Sequence, residues 1–383
     1  MELSVLLGME LGFEKECILM QEPQHTLEVE SVCARARTQL ASFPKFRREA
    51  LLRIVAKETM SRVRRTGSVF ESVRFSWPQA FLALSLAAHD SAENRKAIRR
   101  YVARWEKSGS PLHHLDMAMI GHSYFHLRDH GNSDGYQEAI NKISNFLASR
   151  RRDSRGSIVY REGRPLIFID SIGITCPLLI RLSHETGDQG LLAQALLQVE
   201  NFWTQGFQAS TGLPYHAFDS DGAKSGIVGW GRGVGWAVLG LAQMIEYSAG
   251  DRRVQEALVP KLEGLLRVAQ RYQLEDGAFT WQLQATEGPT DSSATGMITY
   301  AAALGVRRGW IRRDEFSDGV SRGIQSLSNT EHNGIVRLAS GECEGVGRYP
   351  QVYGEYPWGT AAYLLAASAA GPRMLSSSKI ARG

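Results

Sequence analysis

Apolar residues recur at helical spacing along almost the whole chain, and the helical segments come in pairs. No other feature limits the possible folds so strongly. Leu, Ile, Val, Ala and aromatic side chains stand at i, i+3, i+4 and i+7 over 29–43, 46–65, 78–89, 93–107, 114–129, 135–149, 170–186, 189–206, 233–248, 253–272, 292–307, 313–328 and 358–370. That is the pattern of helices with one buried face. Within a pair the connection is short, as in His184-Glu185-Thr186-Gly187-Asp188 and Ser248-Ala249-Gly250-Asp251, where Gly ends one helix and Asp caps the next. Between pairs the connections are longer: Thr211-Gly212-Leu213-Pro214-Tyr215-His216, Glu275-Asp276-Gly277-Ala278-Phe279-Thr280-Trp281 and His332-Asn333-Gly334-Ile335-Val336-Arg337. A Gly turn followed by alternating residues reads as a short hairpin strand. A unit of two helices, a short turn and a long loop, repeated about six times, cannot bury its apolar faces alone and must stack on its copies. The expected fold is therefore all-α, an (α/α)6 barrel or six-hairpin toroid, with short β-hairpins in the long loops.

At 383 residues, 43% of them hydrophobic, the chain has material for a large core. No linker, low-complexity tract or compositional shift divides it, so residues 1–383 are read as one domain. Residues 1–70 are taken as a helical lead-in that includes the first barrel helices. With 44 Lys and Arg against 40 Asp and Glu, and only short basic runs at 62–65 and 150–152, no nucleic-acid partner is indicated. Cys17, Cys33, Cys176 and Cys343 lack CxxC or zinc-finger spacing and are expected as free thiols in a reducing compartment. Glu2, Glu10, Glu14 and Lys15 interrupt the amino terminus before a signal-peptide hydrophobic region develops, and no run reaches membrane-span length. A soluble, cytoplasmic protein without a membrane partner is the expectation.

If the short turns share one end of such a toroid, the long loops and the amino-terminal ends of the inner helices share the other and line a funnel. One of those loops is Gly229-Trp230-Gly231-Arg232-Gly233-Val234-Gly235-Trp236. Its glycines let the backbone pass close to another group, Trp230 and Trp236 offer flat apolar faces, and Arg232 offers a fork for a carboxylate. Together they suggest an acidic sugar, although a crowded helix start accounts for the same residues. Asp170 lies in the apolar run Leu166-Ile167-Phe168-Ile169-Asp170-Ser171-Ile172. Burial there would raise its pKa and suit a proton donor, while a plain helix cap is the competing reading. Asp116 repeats the pattern one helix pair earlier, and paired carboxylates are the usual equipment of glycosidic chemistry. His113 and His114 are adjacent, point to different helix faces and have no third ligand in view, so no metal is expected. His216 and Asp219 sit on a long loop, as do Trp281, Tyr349, Tyr356 and Trp358, which divide between core and platform.

Taken in order, Ile169-Asp170 through Cys176-Pro177-Leu178-Leu179 to Thr186-Gly187-Asp188, Gly212 to Asp219, Trp230 to Trp236, Ser293-Ala294-Thr295-Gly296-Met297 and Pro357-Trp358-Gly359-Thr360 resemble the unsaturated rhamnogalacturonyl and unsaturated glucuronyl hydrolases, glycoside hydrolase families 105 and 88. The likeness runs from about residue 75 onward, and several collinear motifs are more specific than any one. It implies an (α/α)6 barrel that acts on oligosaccharides ending in a 4,5-unsaturated uronic acid, by hydration of the vinyl ether and without a cofactor. It implies Asp170 as general acid/base, Asp116 as the second carboxylate, and His216, Trp230, Arg232, Trp236, Tyr160 and Trp358 as pocket residues. Val234 stands where the family often has Asn, and Val159-Tyr160-Arg161 where it has a His-containing segment, which leaves the recognised sugar open. Two alternatives stand beside this reading: an inverting hydrolase of saturated glycosides, and a non-catalytic carbohydrate-binding toroid. Nothing in the sequence sets the oligomeric state.

Overall fold

Two kinds of helix alternate along the chain, and their apolar residues tell them apart. Every residue of Gly231–Tyr247 from Gly231 to Ile245 is buried, as is every residue of Ser292–Arg308 from Ser292 to Val306. Arg252–Gln270 instead buries one stripe, Val254, Leu258, Leu262, Leu265, Leu266 and Ala269, and leaves its other face to solvent. A helix apolar all round belongs inside, and a striped one belongs on the outside. The computed structural model, which describes residues 28–42, 55, 58, 59, 69–161 and 165–376, arranges them in that way. The inner ring runs Trp77–Ala87, the 3-10 turn Leu115–Ile120 with Gly121–Asp129, Asp170–Ile174 with Cys176–Thr186, Gly231–Tyr247, Ser292–Arg308 and Pro357–Ser376. Outside it lie Val29–Ala41, Ala92–Lys107, Tyr136–Ser149, Gln189–Gln205, Arg252–Gln270 and Arg313–Thr330. Pro357–Ser376 packs on both Ser292–Arg308 and Trp77–Ala87, which closes the ring. The architecture is the expected (α/α)6 barrel.

Close packing of the inner ring depends on glycine. A methyl group on Gly240 would stand 2.3 Å from the carbonyl oxygen of Ile172, so Gly231–Tyr247 approaches its neighbour at a distance no side chain permits. Pro177, lacking an amide hydrogen, follows the break at Thr175 and starts the second half of the third inner helix. Within pairs, Asp188 and Asp251 cap helices as the spacing predicts, each accepting a backbone N–H two residues on.

The long loops carry the short strands. Leu213–Asp219 pairs antiparallel with Leu166–Phe168, Phe207–Gln208 and Lys224–Val228. Glu331–His332 and Ile335–Val336 form the hairpin expected at 332–337, turning through Asn333 and Gly334, both at positive φ. The segment 275–281 forms no strand pair; its Thr280 makes an isolated bridge with Thr290, and Gln282 just beyond it makes one with Trp230. Leu166–Phe168, in the apolar run before Asp170, is a strand, and the helix begins at Asp170 as the periodicity predicts. The helix expected over 46–65 and most of the lead-in 1–70 lie outside the described residues. Among the described residues no helix is long and apolar enough to cross a membrane, and Cys33, Cys176 and Cys343 are free thiols.

Candidate active site

Each inner helix begins at the same end of the toroid, and their first turns supply a ring of side chains: Trp77, Asp116, Asp170, Arg232, Ser292 behind its cap Asp291, and Trp358. The sheet sets the central pair. Register places Phe168 opposite Ala217, and the Ile169 amide donates to the His216 carbonyl at 3.0 Å, so Asp170 and His216 emerge side by side. The His216 Nε2 stands 3.4 Å from Asp170 Oδ2, too long for a settled hydrogen bond and close enough to tighten into one. On its other side His216 Nδ1 lies 2.8 Å from the Tyr349 hydroxyl. A carboxylate facing Nε2 favours the proton on that nitrogen, which leaves Nδ1 to accept from Tyr349. Burial keeps that hydroxyl protonated, its pKa pushed up to about 12. Gly226, at φ +82°, clears the space for this contact. A methyl there would lie 2.6 Å from both His216 Cβ and the Tyr349 oxygen.

Asp170 keeps 14% of its side chain exposed, while its Oδ2 is shut off from water and has no hydrogen-bond partner. Asp116, on the neighbouring helix start, likewise has a buried Oδ1 without a partner. Desolvation, and after it the negative charge of Glu342, push the Asp116 carboxyl up to about 6. Tyr160 feels both carboxylates, which brings it to the same wall, where its ring packs on Phe168. Glu342 is the third carboxyl. Water reaches its side chain, yet the surrounding protein raises its pKa by desolvation, against the pull of Arg232, the Trp77 indole and Arg161. A group inside a concave mouth is wetted and poorly solvated at once.

Several expected pocket residues occupy other roles. Arg232, expected to fork a carboxylate, is 1% exposed. Its Nη1 donates to the Ser340 hydroxyl at 2.6 Å and carbonyl at 3.1 Å, and its Nη2 to the Gly341 carbonyl at 2.9 Å. Asp291 balances its charge, Oδ2 lying 3.8 Å from Nη1, and accepts from Ser293 and Ser340 besides. The guanidinium is also faced by the rings of Trp230 and Trp358. Trp236 is 1% exposed, wedged against Trp77 and Phe81, and has no face for a sugar. Trp230 is 4% exposed and lies beside His216. The buried Trp358 donates to the Ser340 carbonyl and stacks flat on Tyr356, rings 4.5 Å apart and 4° from parallel. The aromatic surface left partly open belongs to Tyr160, Trp281, Tyr349, Tyr353 and Tyr356. Asp219 serves the turn that follows it, accepting from the Asp221 and Ala223 amides. Neither Glu342 nor Asp291 is among the residues picked out by sequence. Asp291 before Ser292-Ser293 reads as a helix cap, and Glu342 is one of two glutamates in Gly341-Glu342-Cys343-Glu344.

Known proteins share this sequence pattern and this fold. The sequence model described as Glycosyl Hydrolase Family 88 matches residues 52–372. A curated relative, an unsaturated 3S-rhamnoglycuronyl hydrolase of Formosa agariphila, is 26% identical over 145 residues, 36% of this chain and 37% of the relative. The match thus spans little more than a third of that relative. A solved structure of a possible member of the GH105 family from Salmonella enterica superposes with a TM-score of 0.76 at 16% identity, covering 93% of this chain and 97% of the other. The unsaturated glucuronyl hydrolase of Bacillus sp. GL1 superposes with a TM-score of 0.63 at 21% identity, covering 76% and 85%. At these identities the superpositions establish the fold.

Proposed function

The chain belongs to glycosyl hydrolase family 88, and from that premise we propose that it releases a terminal 4,5-unsaturated uronic acid from acidic oligosaccharides by hydrating the vinyl ether double bond. The observation that carries the reading is the Asp170–His216–Tyr349 chain at the mouth of the toroid, with Asp116 and Glu342 close by. As general acid, Asp170 delivers a proton to C4, and oxocarbenium character develops at C5 and the ring oxygen. The Asp170 carboxylate then takes a proton from the water that attacks C5. The resulting hemiketal opens and expels the aglycone as an alcohol. One carboxyl serves as acid and then as base, His216 steadies it from the side, and Asp116 supplies the second carboxyl on the same wall.

The substrate carboxylate is assigned to Arg161 in place of Arg232. Arg161 is exposed and acts electrostatically on both Asp116 and Glu342, whereas Arg232 is committed to the 339–341 loop and so positions Glu342. Tyr160 and Tyr356 offer the open faces for the flat ring. That the Formosa relative is an unsaturated 3S-rhamnoglycuronyl hydrolase supports this reading. Its test is incubation with a panel of lyase-generated unsaturated disaccharides, following loss of the near-ultraviolet absorbance of the conjugated double bond. Loss on the unsaturated sugars, with saturated controls intact, is the expected result. Cleavage of the saturated controls alone would transfer the site to an ordinary inverting hydrolase.

A further inference from the structure

At the end of the toroid opposite the funnel, the turn after the first inner helix meets the end of the second. There Asp90, His126 and His130 converge, their ligand atoms all within 4.8 Å of one another. His126 and His130 are spaced i, i+4 at the end of Gly121–Asp129 and so stand on one face. Their ring centroids are 4.5 Å apart.

Proton bookkeeping makes the cluster unusual. His130 Nδ1 lies 2.8 Å from the His126 carbonyl oxygen, and a carbonyl only accepts, so Nδ1 carries the hydrogen. That leaves Nε2 facing Asp90 Oδ2 at 3.3 Å. His126 is 9% exposed, and its Nε2, 3.4 Å from Asp90 Oδ1, is shut off from water with no hydrogen-bond partner. Two imidazole nitrogens and a carboxylate thus converge, one nitrogen buried without a partner, an arrangement that a shared cation would complete.

We propose that Asp90, His126 and His130 form a binding site for a borderline divalent cation of the Zn2+ type, with solvent as a further ligand. Ligand atoms about 2.0–2.1 Å from a tetrahedral metal lie roughly 3.3–3.4 Å apart. The His126 and His130 Nε2 atoms stand 3.4 and 3.3 Å from the two oxygens of Asp90, one oxygen each, so a turn of that carboxylate brings a single oxygen to both. Two imidazoles and one carboxylate select Zn2+, Co2+, Ni2+ or Cu2+ over Mg2+ or Ca2+. Arg95 also bonds Asp90 Oδ2 and shares that oxygen or yields it when the metal enters. The bound ion ties two successive helical pairs at the closed end of the barrel, apart from the funnel, and so acts on stability.

The test uses the tag-free full chain, stripped with a chelator, and titrated with ZnCl2 by calorimetry and with Co2+ by visible absorption. One Zn2+ per chain, a raised thermal midpoint and the intense bands of tetrahedral Co2+ are expected. His130→Ala and Asp90→Asn, both on partly exposed side chains, are each expected to weaken binding about tenfold or more while keeping the wild-type circular dichroism. His126→Ala is less decisive because its burial puts folding at risk. Absence of stoichiometric binding by the folded wild type would overturn the proposal and leave a protonated histidine–aspartate ion pair. Undiminished binding by both variants would overturn it as well.

Discussion

Asp116→Asn should make the protein more stable and a poorer catalyst at the same time. The Asp116 carboxyl has a folded-state pKa of about 6 against an ordinary 3.8, with desolvation the main cause and Glu342 the second. A carboxyl with a raised pKa binds its proton more tightly in the folded chain than in the unfolded one. The fold therefore bears a penalty above the folded pKa and is relieved of it as pH falls toward the unfolded value. A shift of roughly two units corresponds to about 3 kcal/mol at neutral pH. Asparagine keeps the shape and one acceptor while removing the charge. Unfolding free energies of wild type and Asp116→Asn from denaturant titration should differ by about that amount near pH 7.5 and converge near pH 4. Turnover of the unsaturated substrate should fall over the same comparison. A variant no more stable than wild type near pH 7.5, or a gap that ignores pH, would refute the assignment of a desolvated carboxyl at the funnel.

Other consequences follow from the same contacts. Asp291→Ala leaves the Arg232 guanidinium buried without its counter-charge, so the unfolding free energy should drop by about 3–5 kcal/mol, measured by urea denaturation. Gly240→Ala drives a methyl into the Ile172 carbonyl and should cost about 1–3 kcal/mol or more in the same assay. Tyr349→Phe removes the partner of His216 Nδ1 and should lower kcat roughly tenfold while changing KM little, with an altered pH profile of kcat.

The toroid was legible in the sequence because its two signals are local. Helical apolar periodicity and the Gly/Asp turn between partners are written within a few residues, and the helix bounds around Gly231–Tyr247, Arg252–Gln270 and Arg313–Thr330 follow them closely. Placement of Asp116, Asp170 and His216 at one mouth follows from the same regularity, since every inner helix starts at that end. The roles of Arg232 and Trp236 were not legible. A guanidinium beside two indoles looks the same in sequence whether its fork faces a ligand or the carbonyls of Ser340 and Gly341, more than a hundred residues away. Glu342 escaped notice for the complementary reason. Its environment comes from Trp77, Asp116, Arg161 and Arg232, none of them near it in the chain. The strand Leu166–Phe168 has no signal of its own in the sequence, since a short apolar run reads equally as buried helix or buried strand and only its partner Leu213–Asp219 decides.

The most direct test of the proposed chemistry is turnover of an unsaturated disaccharide by Asp170→Asn, with binding of the same sugar measured in parallel. The account predicts that absorbance loss slows by several orders of magnitude, about a thousandfold or more, while affinity stays close to wild type. Near-normal turnover by a folded Asp170→Asn protein would contradict it.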